Sequence, residues 1–455
     1  MKKIDSGLHY PLDMNTLSKT WSVSYIGDVA IEIQPGFASG EHNQEGTGIP
    51  HVRPMNINRQ GNLDLSVVKY VSPDKDKKRL RAGDVLFNNT NSPELIGKTT
   101  VINKDIDWAF SNHMTRIVFP QEVSPKFVAY QLHFLWSMGY FLHKCVKHVN
   151  QASISSKTLG DSVPLILAPF NEQKLIVSEI EKQFSRLDEA VAALKRVRAS
   201  LKRYKASVLK AAVEGKLTEE WRKRSGEVAA PFFETNKLRK GGETPPLQKQ
   251  GADLPEGWRC AKLVEVAEIN PKLSKNISDN VEVSFLPMKA VQEETGMIDL
   301  SITKKFEEVK RGYTSFINND IIFAKITPCM ENGKIAIVEN LRNSLGFGST
   351  EFHVIRLHEP KSIKYLFYFL LQRDIRKQAQ RSMTGTAGQL RVPAKFMQEI
   401  AVSLPPIPEQ QKIVEEIESR LSVAEEIKAT IDINLKRAER LRQAILKQAF
   451  SGRLV

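Results

Sequence analysis

Residues 171–190 read NEQKLIVSEIEKQFSRLDEA, and residues 408–427 read PEQQKIVEEIESRLSVAEEI. The second stretch lies 237 positions after the first. The match runs on without a gap to VLKAAVEGKL (208–217) against ILKQAFSGRL (445–454). About a third of the aligned positions are identical, and such a repeat sets the architecture before any single residue does. In the first copy, apolar residues recur at steps of three and four from Ile176 through Ile180, Phe184, Leu187 and Val191 to Val208, and no Pro or Gly falls between Asn171 and Glu214. The second copy has the same stripe, from Ile413 through Ile417, Leu421 and Ile431 to Ala449. This near-heptad spacing predicts two long helices. Pro169 and Pro408 punctuate their starts, and Gly215 and Gly452 follow their ends. Roughly 40 residues each give roughly 60 Å of helix. A helix that long with one apolar stripe needs a partner. The economical partner is the other copy, so an antiparallel intramolecular coiled coil is expected; separate packing of each helix on its own module is the alternative.

Working outward, the same offset pairs Trp21 with Trp258 and Val29-Ala30 with Val266-Ala267. With a one-residue slip, Gly83–Phe87 (GDVLF) matches Asn319–Phe323 (NDIIF), and Gly97-Lys98 matches Gly333-Lys334. The halves diverge between these anchors, as expected of two modules that keep one scaffold and bind different things. Short β-rich runs (DVLFN, KTTVIN, TRIVF; then DIIFAK, KIAIVEN, FHVIRL) predict strands. One apolar helix is expected in each body, over 125–145 and over 363–380. The predicted fold is α+β. It has two similar mixed α/β bodies separated by two long helices, with pseudo-two-fold internal symmetry. The expected boundaries are 1–165, a long helix over 166–217, a linker over 218–257 rich in turn formers, 258–402, and a C-terminal helix over 403–455.

Composition narrows the function. With 66 Lys plus Arg against 52 Asp plus Glu, the net charge is +14, and a positive field attracts polyanions such as nucleic acid. Cys145, Cys260 and Cys329 form no Cys-x-x-Cys pair, so no zinc or disulfide framework is readable. His143, Cys145 and His148 follow an apolar helix and have no counterpart ligands in the second half, so a metal site is not expected. The opening MKKIDSGLHYPLDMN lacks a signal-peptide core, and Phe127–Cys145 is too interrupted to span a bilayer. A cytoplasmic protein without a membrane partner is expected. Catalytic motifs fail on inspection. Asn270-Pro271-Lys272-Leu273 lacks the second Pro and the aromatic of an adenine methylase. Gly97-Lys98-Thr99 ends a phosphate-loop pattern, but Ser92 stands where its first Gly belongs. Both Gly-Lys pairs read as a shared turn into a strand.

The doubled layout, the tails PLILAPFNEQKLIVSEIE and LPPIPEQQKIVEEIE, and the closing Leu-Lys-x-Ala-x-x-Gly-[Lys/Arg]-Leu pattern together resemble the specificity (S) subunit of type I restriction–modification systems, the HsdS family. The likeness covers nearly the whole chain from Trp21. It implies a non-catalytic DNA-binding subunit in which each body is a target recognition domain for one half of a split, asymmetric site and the helix pair is a ruler between them. It also implies two methyltransferase (M) subunits and restriction (R) subunits as partners. S-adenosylmethionine, ATP and Mg belong to those partners, and none to this chain. The rivals are a DNA-binding protein with no methylase partner and a coiled-coil scaffold with incidental charge.

Base reading needs Arg or Lys for guanine and Asn or Gln for adenine. In the first body the candidate DNA contacts are Arg53, Asn56, Asn58 and Arg59, then Asn88, Asn89, Asn91 and Ser92, then Lys98, and Asn150, Gln151 and Ser153 in the loop after the apolar helix. In the second they are Lys325, Thr327, Asn332 and Lys334, with Thr384, Gly385, Thr386 and Gln389 in the matching loop. The family carries a Gly-Thr-x-x-Gln-type stretch in this loop, from which the first half departs. Basic helix positions such as Lys195, Arg196, Arg198, Lys436, Arg437 and Arg442 lie near the DNA backbone, on a solvated face, or on a docking surface.

Overall fold

The computed structural model describes residues 10–39, 41–72, 79–149, 151–225, 254–273, 277–386 and 388–455. The chain divides into two compact units, residues 1–195 with 431–455, and residues 196–430.

In the first unit a four-stranded antiparallel sheet runs in the order Glu32–Pro35, Met114–Val118, Val85–Asn88, Thr99–Val101. A smaller sheet places Ile49–Val52 between Lys69–Val71 and a parallel neighbour, Ala109–Phe110. Ser22–Tyr25 and Pro164–Leu167 form an antiparallel clasp. The second unit repeats the plan. Its main sheet runs Ala267–Ile269, Phe352–Leu357, Asp320–Ala324, Ile335–Val338. Glu282–Leu286 pairs parallel with Leu345–Gly348 in a second sheet, here of four strands, and Arg259–Lys262 with Ala401–Leu404 makes the clasp. The predicted strands are thus all present, in matching order.

The long helices span Phe170–Val213 and Ile407–Phe450. Each unit holds one end of an antiparallel pair. In the first unit Asp188 meets Arg442, whose guanidinium also lies 4.0 Å from the centre of the Phe184 ring. In the second, Lys205 meets Glu425. The two pairs' residue numbers have the same total, as antiparallel register requires. The apolar stripe buries Ile176, Ile180 and Phe184 at one end and Ile413 and Ile417 at the other. Arg442 is therefore a helix-pairing residue and not part of a free basic face.

One expectation needs correction. The apolar helix of each body is two helices. Ser124 accepts from the Phe127 amide to start Pro125–Ser137, but Gly139 takes a left-handed conformation (φ 75°), and a separate helix, Tyr140–Lys144, follows. In the second unit Gln372 leaves helical backbone (ψ 142°) and splits Ile363–Leu371 from Arg373–Ser382. Of the stretch 218–257, Glu219–Ser225 is helical, and residues 226–253 lie outside the described residues.

An indole–carboxylate bond recurs where the repeat predicts it. Trp21 Nε1 donates to Glu172 at 2.9 Å, and Trp258 Nε1 donates to Glu409 at 2.8 Å. Each bond locks the first strand of its unit onto the start of a long helix. In the second unit the carboxylate also accepts from Thr218 Oγ1 at 2.6 Å and from Arg222.

Candidate nucleic-acid interface

Gly97 and Gly333 are left-handed, with φ of 94° and 72°, and turn the chain into Thr99–Val101 and Ile335–Val338. The lysine after each points inward. Lys98 is buried, and its Nζ donates to the carbonyls of Pro54, at 3.3 Å, and Ile57. Burial, and then the neighbouring Arg59 charge, lower its proton affinity. Lys334 Nζ donates to the Met288 carbonyl at 3.1 Å. Each lysine ties down a single 3-10 turn, Pro54–Asn56 or Met288–Ala290. An ammonium committed to backbone carbonyls does not reach a phosphate. Lys98 thereby leaves the set of outward contacts, and half-buried Lys334 is engaged in the same way.

Three asparagines also turn inward. Asn88 is fully buried, and its Nδ2 donates to the Leu95 carbonyl at 2.9 Å. Asn89 donates to the Asn112 carbonyl at 3.1 Å and to Thr115 Oγ1 at 2.8 Å. Asn56 donates to the carbonyls of Asp64 and Val67 at 2.9 and 2.8 Å. These amides hold loops in shape and offer no donor to a base edge.

Outward-facing candidates converge in each unit. In the first, Thr90–Asn91 forms a strand beside Ala152–Ser153, which in turn pairs with Val146–Lys147. The two polar loops singled out in the sequence thus share one three-stranded edge. Gln151 is exposed there, and Ser153 Oγ lies 3.2 Å from His148 Nε2. Asn150 lies outside the described residues. Asn91 Oδ1 accepts from the Ser92 amide at 2.8 Å, and Ser92 Oγ donates to Glu94 at 2.9 Å. Arg59 is exposed. Asn58 Oδ1 accepts from the amides of Gln60 and Asn62, shaping the turn, and Arg53 sits between His51 and His42.

The second unit makes the same junction with other residues. Thr327 N donates to the Leu390 carbonyl at 3.0 Å, Val392 N to the Lys325 carbonyl at 2.8 Å, and Arg391 bridges both Ile326 and Thr384. Thr384, Gly385, Thr386 and Gln389 are exposed around this junction, while Ala387 lies outside the described residues. Gly385 at φ 134° and Gly388 at φ 84° require glycine-like backbone, which lets the chain approach a ligand closely. Asn332 donates to Glu293 at 2.8 Å, and Thr327 Oγ1 to Glu331. His353 Nε2 lies 2.8 Å from the Val392 carbonyl, and burial lowers the proton affinity of that ring. Arg391 and the exposed Lys147 and His148 stand at the same junctions; the sequence reading named neither Arg391 nor Lys147 and weighed His148 only as a metal ligand. Their signal was position: each flanks a loop already singled out. Among the described residues, no group of three or more His, Cys, Asp or Glu could hold a metal ion, and no helix is long and apolar enough to cross a membrane.

A family model described as "Type I restriction modification DNA specificity domain" matches residues 18–202 and again 255–437. The chain is 34% identical over 252 residues to the type I restriction enzyme EcoAI specificity subunit of Escherichia coli, a match over 52% of this chain and 42% of that protein. It is 37% identical over 220 residues to the EcoEI specificity subunit, also from Escherichia coli, over 46% of this chain and 37% of that one. The matches therefore span less than half the length of these two relatives. A putative type I restriction enzyme MjaX specificity subunit from Methanocaldococcus jannaschii is 23% identical over 95% of this chain and 92% of its own. Among solved structures, a chain from a study of complex assembly and conformational transition of the type I R-M system aligns with a TM-score of 0.67 at 17% identity, over 96% of this chain and 99% of that one. The HsdS subunit from Thermoanaerobacter tengcongensis aligns with 0.53 at 18% identity, over 96% and 98%. These likenesses establish a shared fold.

Proposed function

The chain belongs to the family of type I restriction modification DNA specificity domains, and from that premise we propose that it reads a split, asymmetric DNA site, one half with each body, as the non-catalytic subunit of a modification and restriction complex. One observation carries this reading. Both units bring two polar loops onto the same scaffold edge, held by the same backbone bonds, yet the side chains there differ: Thr90, Gln151 and Ser153 in one, Lys325, Thr327, Thr384 and Arg391 in the other. A shared frame with different chemistry suits two different half-sites. The division into recognition bodies 1–165 and 258–402, helices 166–217 and 403–455, and linker 218–257 belongs to the same proposal. Its partners are double-stranded DNA, methyltransferase subunits that carry S-adenosylmethionine, and restriction subunits that use ATP and Mg. The paired helices act as the ruler, so inserting whole helical turns into one of them lengthens the recognised spacer without altering either half-site; unchanged spacing would sink the ruler.

The test is methylome sequencing of cells that carry this chain with its methylase. Gln151→Ala alters the requirement in one half-site, and the double change Thr384→Ala with Thr386→Ala alters the other. A wild-type complex that assembles and yields no chain-dependent methylated motif overturns the reading. The affinity of the purified complex for its site falls with salt in proportion to the phosphates neutralised, by about 0.9 log units per phosphate per log unit of salt.

A further inference from the structure

Ser153 and Arg391 occupy the same place in the repeated scaffold. Ser153 pairs with Thr90, and the Ile154 amide donates to the Asn89 carbonyl at 2.8 Å; Arg391 bridges Ile326, and the Val392 amide donates to the Lys325 carbonyl at 2.8 Å. The partner position also corresponds. The Asn89 amide donates to the His113 carbonyl at 3.0 Å, and the Lys325 amide to the Glu351 carbonyl at 2.9 Å. The second unit therefore carries a Glu351–Arg391 pair where the first carries His113 and Ser153.

The geometry of that pair is specific. Arg391 donates from Nε and Nη2 to the two Glu351 oxygens, at 2.8 to 3.1 Å, and from Nη1 to the Gln389 carbonyl at 3.0 Å. A guanidinium has five N–H donors, so one remains on Nη1 and one on Nη2. Glu351 takes one edge of the planar group and fixes its orientation, while the side chain stays 41% exposed at the lip of the loop junction. The carboxylate also holds the guanidinium firmly charged, and the guanidinium lowers the carboxyl's proton affinity in turn. Paired N–H donors on a rigid guanidinium plane suit the O6 and N7 acceptors of guanine in the major groove. A phosphate can take the same fork, so loss of discrimination at one base pair, and not loss of binding, identifies a guanine contact.

We infer that Arg391, oriented by Glu351, is the specificity-determining residue of the second body and reads a guanine in its half-site, and that Ser153 occupies the corresponding position in the first body. The inference rests on the proposed function and names a residue within it. The full chain, purified with its methylase, is assayed on duplexes carrying the wild-type motif and every single-base variant of it. The wild-type complex must first show a split motif; if it shows none, the proposed function has failed, and this inference falls with it. Given a motif, Arg391→Ala is expected to lose about 10- to 100-fold of discrimination at one G·C pair of one half-site, with the other half-site unchanged. Arg391→Gln removes both the charge and the guanidinium fork, and loses the same preference for guanine even if the alanine variant is too unstable to assay. Glu351→Gln gives a smaller loss at the same base pair. Equal weakening on all sequences, with a salt slope reduced by about one, would identify a phosphate contact and overturn the inference. Unchanged discrimination in Arg391→Gln would overturn it as well.

Discussion

Glu409 and Glu172 are equivalent residues in different circumstances. Glu409 is almost fully buried and serves three donors, from Trp258, Thr218 and Arg222, whereas half-buried Glu172 serves the Trp21 indole. Removing a buried carboxylate strands its partners, which costs about 3–5 kcal/mol, while losing a single hydrogen bond costs about 1 kcal/mol. Glu409→Ala should therefore lower the urea midpoint far more than Glu172→Ala; equal shifts would sink the argument. His133 gives a pH dependence. Burial, with help from Arg442 and Lys98, pushes its pKa from about 6.5 down to about 4. Above 6.5 both folded and unfolded chains hold a neutral ring, so it contributes nothing. Between 6.5 and 4 the unfolded chain binds a proton that the folded one refuses, so stability falls with pH, by about 3 kcal/mol at the limit. In melts between pH 7 and 4.5, His133→Gln should show a smaller loss of melting temperature than the wild type. An identical loss would exclude His133 as the cause.

At the level of elements, the long helices were legible because a stripe sustained over ten turns has no other reading, and the strands because short apolar runs sat between turn formers. Residue type does not reveal direction, however. Asn88 looked like a base reader, yet it ends Val85–Asn88, a strand buried at every position, so its amide is drawn inside. A wholly apolar run such as VLF already signals a strand covered on both faces. Which loops meet was not legible, because contacts such as that between Thr90 and Ser153 depend on the closed fold. The turns shared by both units have their own signature. A Cβ on Gly97 would come within 2.2 Å of the Phe141 ring in a left-handed backbone, whereas one on Gly46, also left-handed, would meet open space. Gly46→Ala should cost about 1 kcal/mol from backbone strain alone. Gly97→Ala adds a clash in the core, of the kind that typically costs a further 1–3 kcal/mol. Thermal melts of the two variants compare these directly, and similar shifts would mean that Phe141 moves aside freely.

At the scale of the whole molecule, the first unit joins two stretches far apart in sequence, residues 1–195 and 431–455. Phe450, near the end of the second long helix, is fully buried and stacks edge-on against Phe127 at 5.3 Å, with Phe134 at 5.9 Å. Phe450→Ala should cost about 3–5 kcal/mol. The loss should appear as faster amide exchange in Pro125–Ser137, with Ile363–Leu371 in the other unit unchanged; uniform loosening of both would argue against two separate compact units. The second unit, residues 196–430, is one continuous stretch. This difference matters on the ribosome. Residues 1–195 emerge before residues 196–430 but lack their closing helix until residues 431–455 are made. At about 5–20 residues per second, its first 195 residues wait roughly 13–50 s with an open apolar groove. The second unit, translated later, has all its parts sooner. The unit whose residues begin first is therefore the last to have all its parts.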